Sequence, residues 1–139
     1  MRVCGIELKS NYTVLTLVDY SSDDIVDYID LKIKKITLED DENTNNVISY
    51  LKEINTFFDD NQVEKIVIKK RSKKGAFSGG AVTFKMEGLI QLYSKAQISL
   101  LSAQSISSYE RKNEIQFPSK LKKYQEQSYL AVLCAILNT

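Results

Sequence analysis

The chain has 139 residues, enough for one domain with a self-sufficient core and too few for two. Its 19 Lys and Arg stand against 18 Asp and Glu, a net charge of +1, so any attraction to nucleic acid must come from local clustering. The absence of histidine excludes Ser-His-Asp and Cys-His catalysis and every His-ligated zinc site, leaving carboxylates, lysines, tyrosines or a carboxylate-held hard metal to carry any chemistry.

In chain order, residues 2–8 read as a buried strand, residues 9–11 as a tight turn, and Tyr12 to Tyr20 as a second strand rich in Val, Thr and Leu. A turn at 21–24 leads into one half-solvated outer strand carrying Val26, Tyr28, Ile29, Leu31, Ile33 and Ile36, which completes an antiparallel meander. The acidic run from Glu39 then opens an amphipathic helix with Val47, Leu51, Ile54 and Phe58 on one face, where its charges complement the helix N-terminus. That helix ends at Asp59-Asp60-Asn61.

Val63 to Ile68 is continuously apolar, as a parallel strand buried on both faces would be. After a basic, glycine-rich loop, Val82, Met86, Leu89, Ile90 and Tyr93 mark a second helix, and Gln97 to Leu101 a fifth strand. Ser102 caps a short helix bearing Ile106 and Tyr109. Pro118 separates it from a last helix, about Leu121 to Leu137, packed deep. Cys4 and Cys134 lie in apolar segments far apart, as buried thiols rather than a metal pair or a Cys-x-x-Cys. No apolar stretch approaches the ~20 residues of a membrane span and the N-terminus lacks signal-peptide regions, so a soluble cytoplasmic protein is expected.

Two features point to chemistry. Glu7 lies in the strand Val3-Cys4-Gly5-Ile6-Glu7-Leu8, where an ionised carboxylate needs a cation, a metal or water to offset a burial cost of several kcal/mol. Lys69, Lys70, Arg71, Lys73 and Lys74 then place five cations in six residues, followed by Ser78, Gly79 and Gly80 at a helix start, a physically attractive phosphate site. Each has a plain structural alternative: a salt-bridged strand-end carboxylate, and a solvated basic loop. The spacing Gly75-x-x-x-x-Gly80 is not a P-loop, because Ala81 and Val82 stand where Lys and Ser/Thr belong. Residues 41–45 imitate a calcium loop but fail at Asn46 and Lys52. The eight tyrosines are scattered, so no base-stacking platform is indicated.

The order β-β-β-α-β-α-β-α-α is that of ribonuclease H-like domains, and Cys4-Gly5-Ile6-Glu7 resembles their first-strand motif, in which a glycine and an apolar residue precede the first metal-binding carboxylate. Val3 to Lys9, Leu38 to Asp41, Lys74 to Val82 and Tyr124-Gln125-Glu126 are similar to a bacterial domain-of-unknown-function family, DUF3010, distantly similar to Holliday-junction resolvases. The resemblance implies a single ribonuclease H-like domain over 1–139, an α/β fold with a mixed five-stranded sheet and helices on both faces. It also implies carboxylates at the ends of strands one and four and on the last helix, holding two divalent metals for phosphodiester cleavage. Glu7 and Glu126 match the first and last, whereas the strand-four position falls on Lys69 or Lys70, a cation where the enzymes place an anion.

The leading expectation is therefore a domain that contacts nucleic-acid phosphates with tolerance of sequence, through Lys69, Lys70, Arg71, Lys73, Lys74, Ser78, Gly79 and Gly80, and that has a degenerate or weak nuclease site. In that site Glu7 and Glu126 would hold a weakly bound magnesium or manganese ion, with Lys69 or Lys70 salt-bridged to one of them. The alternatives are an inactive domain serving a protein partner or a homodimer contact, and a small-molecule phosphate sensor. No membrane partner is expected.

Overall fold

The computed structural model describes residues 1–71 and 80–137. A mixed sheet in the order β3-β2-β1-β5-β6 forms the middle layer, built from β1 (Arg2–Lys9), β2 (Tyr12–Tyr20), β3 (Val26–Ile29), β5 (Lys65–Lys69) and β6 (Gln97–Leu101), with β4 (Lys35–Thr37) also paired to β2. β1 is antiparallel to β2 and parallel to β5, and β5 is parallel to β6. Helices α1 (Thr44–Asp60) and α2 (Ala81–Ile90) pack on one face, α3 (Ala103–Lys112) and α4 (Glu126–Leu137) on the other.

Period-2 alternation in β1 sorts its side chains between two cores. Cys4, Ile6 and Leu8 join Ile54, Phe58, Met86 and Ile90 on the α1/α2 side, while Val3 joins Tyr129, Leu130 and Leu133 on the α4 side. Burial on both faces explains why β1 and β5 read as continuous apolar runs. Among the described residues no helix is long and apolar enough to cross a membrane.

Two expectations are corrected. The single outer strand is broken into β3 and β4, so the sheet has six strands among the described residues. Leu17 pairs with Ile29 but Thr13 pairs with Ile36, so a separation of four residues in β2 is matched by seven in the outer chain, an excess of three. Ile29 and Ile36 are seven apart and would face opposite sides of an unbroken strand; the break lets both pack into the α1/α2 core. At α1, the acidic run precedes the helix rather than entering its first turn, and Asn43 caps it by accepting from the Asn46 N–H at 3.1 Å.

The break in the outer strand also fixes α4. Leu15 lies between the two ladders; its N–H donates to Lys34 O at 2.8 Å, and its carbonyl accepts from Gln125 Nε2 at 2.9 Å. The buried Gln125 side chain thus fills a gap in the sheet's hydrogen bonding and ties the 3-10 turn Lys123–Gln125, directly before α4, to β2. One turn on, Ser128 Oγ and Thr16 Oγ1 lie 2.5 Å apart, a second polar tie in the same helix–sheet interface.

Candidate functional site

Gly5 is where α4 crosses the sheet. A Cβ there would lie 2.0 Å from the Ser128 carbonyl oxygen and 2.6 Å from Val132 Cγ2, so only glycine admits the helix at this depth. The crossing brings the first turn of α4 to the C-terminal end of β1, two residues beyond Gly5 on the same face, where Glu7 stands.

Ile6 is in register with Ile68 of β5, so Glu7 and Lys69 are neighbours one step further along. Lys69 Nζ lies 3.5 Å from Glu7 Oε2 and donates to Gln127 Oε1 at 3.0 Å. Glu7 is only 6% exposed, and its Oε1 has no hydrogen-bond partner, although Lys9 Nζ stands 3.7 Å away. Arg71 donates through Nη1 to Leu8 O at 3.2 Å, across the end of the same strand. One buried carboxylate therefore faces Lys69 and Lys9, with Arg71 beside them. At an effective dielectric of about 20, the Lys69–Glu7 attraction is about 5 kcal/mol gross, set against desolvation of the same order.

Of the two lysines that could hold the strand-four position, Lys69 is the one at Glu7. Lys70 alternates to the other side, is exposed, and is tied through its backbone N–H to Leu101 O at 2.8 Å. Glu126 opens α4 half-buried, and Gln127, one residue on, is the helix side chain that reaches Lys69. Gly80 is the exposed N-cap of α2. Lys73, Lys74, Ser78 and Gly79 lie outside the described residues, as does most of the rejected P-loop spacing.

Hard divalent ions take six or more oxygen ligands, mostly carboxylates and waters, at about 2.0–2.6 Å. This end of the sheet offers one buried carboxylate and one amide oxygen, with an ammonium already between them. Among the described residues no group of three or more Asp, Glu or Cys side chains is placed to hold a metal ion. The donor set does not fit a two-metal centre. An apolar groove of about 660 Å³, floored by Ile29, Leu31, Ile36 and Phe57, lies on the α1 side of the sheet and includes neither Glu7 nor Lys69.

Sequence reasoning did not identify Gln127, Gln125 or the position of Lys9. Gln125 and Gln127 flank Glu126, the residue it selected, but the helix phase that decides which of them faces β5 is set by the 3-10 turn. It also discounted the tyrosines, whereas the fold brings Tyr12 and Tyr124 around Lys35 Nζ, at 4.9 and 4.1 Å from the two ring centroids.

The fold is similar to that of solved Holliday-junction resolvases. RuvC of Thermus thermophilus superposes with a TM-score of 0.70 at 10% identity, covering 100% of this chain and 98% of that one. The same organism's RuvC in complex with a Holliday junction substrate gives 0.67 at 10% identity, over 96% and 92% of the two chains. A fowlpox virus resolvase in complex with Holliday junction DNA gives 0.58 at 12% identity, over 99% and 98%. At such identities the likeness is one of fold alone, a ribonuclease H-like fold shared with these resolvases. No curated protein matches the chain in sequence. Residues 1–135 match the model of the family described as a protein of unknown function, DUF3010, and the chain belongs to that family.

Proposed function

We propose that this domain binds nucleic-acid phosphates at the C-terminal end of β1 and β5, and that Lys69 takes over the charge-neutralising place of a metal ion there. The observation that carries the reading is the Lys69 ammonium held between Glu7 Oε2 and Gln127 Oε1 at 3.5 and 3.0 Å. An ammonium so placed repels a divalent cation and occupies its space, so metal-dependent phosphodiester cleavage is weak or absent. What remains is cationic: Lys9 and Lys69 face one carboxylate with Arg71 beside them, Lys70 is exposed on the other side, and the chain continues into Lys73 and Lys74. The solved resolvases of this fold bound to junction DNA support nucleic acid as the ligand class.

The contacts offered are to phosphate, with no helix or ribbon among the described residues arranged to read base edges, so binding is tolerant of sequence and falls steeply with salt. The test is fluorescence anisotropy with labelled DNA and RNA of mixed sequence over a salt series. Replacing Lys73 and Lys74 by Ala, or Arg71 by Ala, should weaken binding to all sequences and reduce the slope of log K against log salt by about one for each phosphate no longer neutralised. Unchanged slopes would move the binding surface elsewhere, and no binding at low salt would favour the alternative of a protein-interaction module.

A further inference from the structure

We infer that Tyr12 and Tyr124 form a nucleobase-stacking subsite beside the phosphate-contacting cations, so that the favoured ligand is single-stranded nucleic acid with unpaired bases. The inference rests on the phosphate-contact reading and names the substrate class of that site. Its starting point is a cluster that neither the sequence pattern nor the Glu7 site accounts for: Lys35 Nζ 4.1 Å from the Tyr124 ring centroid and 4.9 Å from that of Tyr12.

The sheet register places this cluster. Lys35 pairs with Val14, Val14 with Glu7, and Glu7 lies beside Lys69, so these four side chains form one row across β4, β2, β1 and β5 on the face that α4 covers. The next row runs from Thr37 to Tyr12 to Lys9 and ends at Arg71, which reaches across to Leu8 O. Val14 is buried in the first row, but Tyr12 keeps part of its surface and Lys9 is exposed, so the second row is an open path from ring to cation. Tyr124 comes from the 3-10 turn that Gln125 ties to β2, with exposed Lys122 and Lys123 before it.

A surface of cations interleaved with aromatic rings is the composition that binds single strands, because every base has a face to stack and every phosphate a charge to meet. Strands lie about 4.8 Å apart, so Lys35 on β4, around which the rings sit, is two spacings or about 10 Å from Glu7 on β1, the span of about three stacked nucleotides at roughly 3.4 Å each. One strand can therefore place bases at the tyrosines while its phosphates reach Lys9 and Arg71. Lys35 also lines a polar groove together with Glu39 and Glu53, but no ion pair joins either to it among the described residues. The Lys35 ammonium is left to the two rings and to an incoming phosphate. Continuous duplex buries its base faces and gains nothing from the rings.

The experiment compares anisotropy-measured affinities of a ~20-nucleotide single strand and its duplex at one low salt concentration. It uses the native protein and the variants Tyr124→Phe, Tyr124→Leu, Tyr12→Leu and Arg71→Ala, each checked for folding by its melting curve. The single strand should bind more tightly than the duplex. Tyr124→Leu and Tyr12→Leu should each lose roughly ten-fold in single-strand affinity with little change for duplex, Tyr124→Phe should keep it, and Arg71→Ala should weaken both ligands. Leucine preserves apolar bulk and phenylalanine preserves the ring, so the pair separates stacking from packing if one tyrosine variant is unstable. Equal affinities for the two ligands, unmoved by the tyrosine variants, would overturn the stacking inference and leave phosphate binding standing. No binding of either ligand would remove both.

Discussion

Removing the Lys69 ammonium leaves Glu7 almost fully buried, with Lys9 at 3.7 Å as its remaining cation. We expect Lys69→Ala to destabilise the domain by about 1–3 kcal/mol, below the cost of orphaning a wholly buried charge because Lys9 is still present. The double variant Glu7→Gln, Lys69→Met should recover most of that loss, since both charges leave together, and urea titrations of the two singles and the double would show it. Strict additivity would mean that the pair is not coupled. This ion pair was legible in the sequence, because a carboxylate at the end of a buried parallel strand and a lysine at the end of its neighbour meet by register alone. Gln127 was not, since a shift of one residue on a helix turns a side chain by about 100°.

At the scale of elements, local reading succeeded in part. Of the expected α1 stripe, Val47, Ile54 and Phe58 pack into the core, whereas Leu51 stays half-buried outside it and Tyr50 and Phe57 are buried instead. The span of β6 and the Ser102 cap, whose Oγ accepts from Ser105 N–H at 3.1 Å, depend on neighbours a few residues away. The break in the outer strand depends on partners far along the chain: Leu15 O is satisfied by a glutamine 110 positions distant. The seating of α4 can be tested from both of its anchors. Gly5→Ala drives a methyl into the Ser128 carbonyl and should cost about 3 kcal/mol or more, while Gln125→Ala strips a buried carbonyl of its donor and should cost about 1–3 kcal/mol. Both are measured by denaturant unfolding, and in both the Lys69–Gln127 hydrogen bond should loosen, visible as faster hydrogen exchange over the first turn of α4. If either variant matched the native protein in stability, the close seating of the helix would be wrong.

A second coupling joins the end of α1 to the turn after α2. The Tyr93 hydroxyl donates to Asp59 Oδ1 at 2.7 Å and Lys95 Nζ lies 3.3 Å from the same oxygen, and these hold the Asp59 carboxyl below its usual range. Burial, followed by the same aspartate, pushes the Tyr93 phenol up to about 12. The signs differ at the two ends of the pH scale. A depressed carboxyl contributes stability above its unfolded pKa and loses it as acid brings it through its folded value. A raised phenol contributes fully below its unfolded value near 10 and loses its share as pH climbs from there towards about 12. Tyr93→Phe should return the Asp59 carboxyl towards its ordinary range in an NMR titration and remove the alkaline part of the stability loss that this phenol causes.

For the whole molecule, near-neutral charge is locally sorted: Lys9, Lys69 and Arg71 gather around Glu7 at the end of β1 and β5, while the acidic run before α1 follows β4, whose Thr37 pairs with Tyr12 opposite Lys9. With an apolar core on each face of the sheet and the site compensated internally, we expect the native domain to fold without an ion. Chelator should leave its melting temperature within ~1 °C. Lys69→Glu reverses that situation by placing a second carboxylate against Glu7, beside Gln127. Like charges in a nearly buried position repel, so the variant should melt below the native protein in chelator, and a divalent ion that binds only the folded state should restore it. At manganese a hundred times the dissociation constant the gain is about 2.7 kcal/mol, or roughly 5–10 °C for a domain of this size. The native protein should show no such rise. If manganese stabilised the native domain as strongly as the variant, the ion would be reaching Glu7 despite Lys69, and a metal-dependent phosphodiesterase would become the better reading of this cleft.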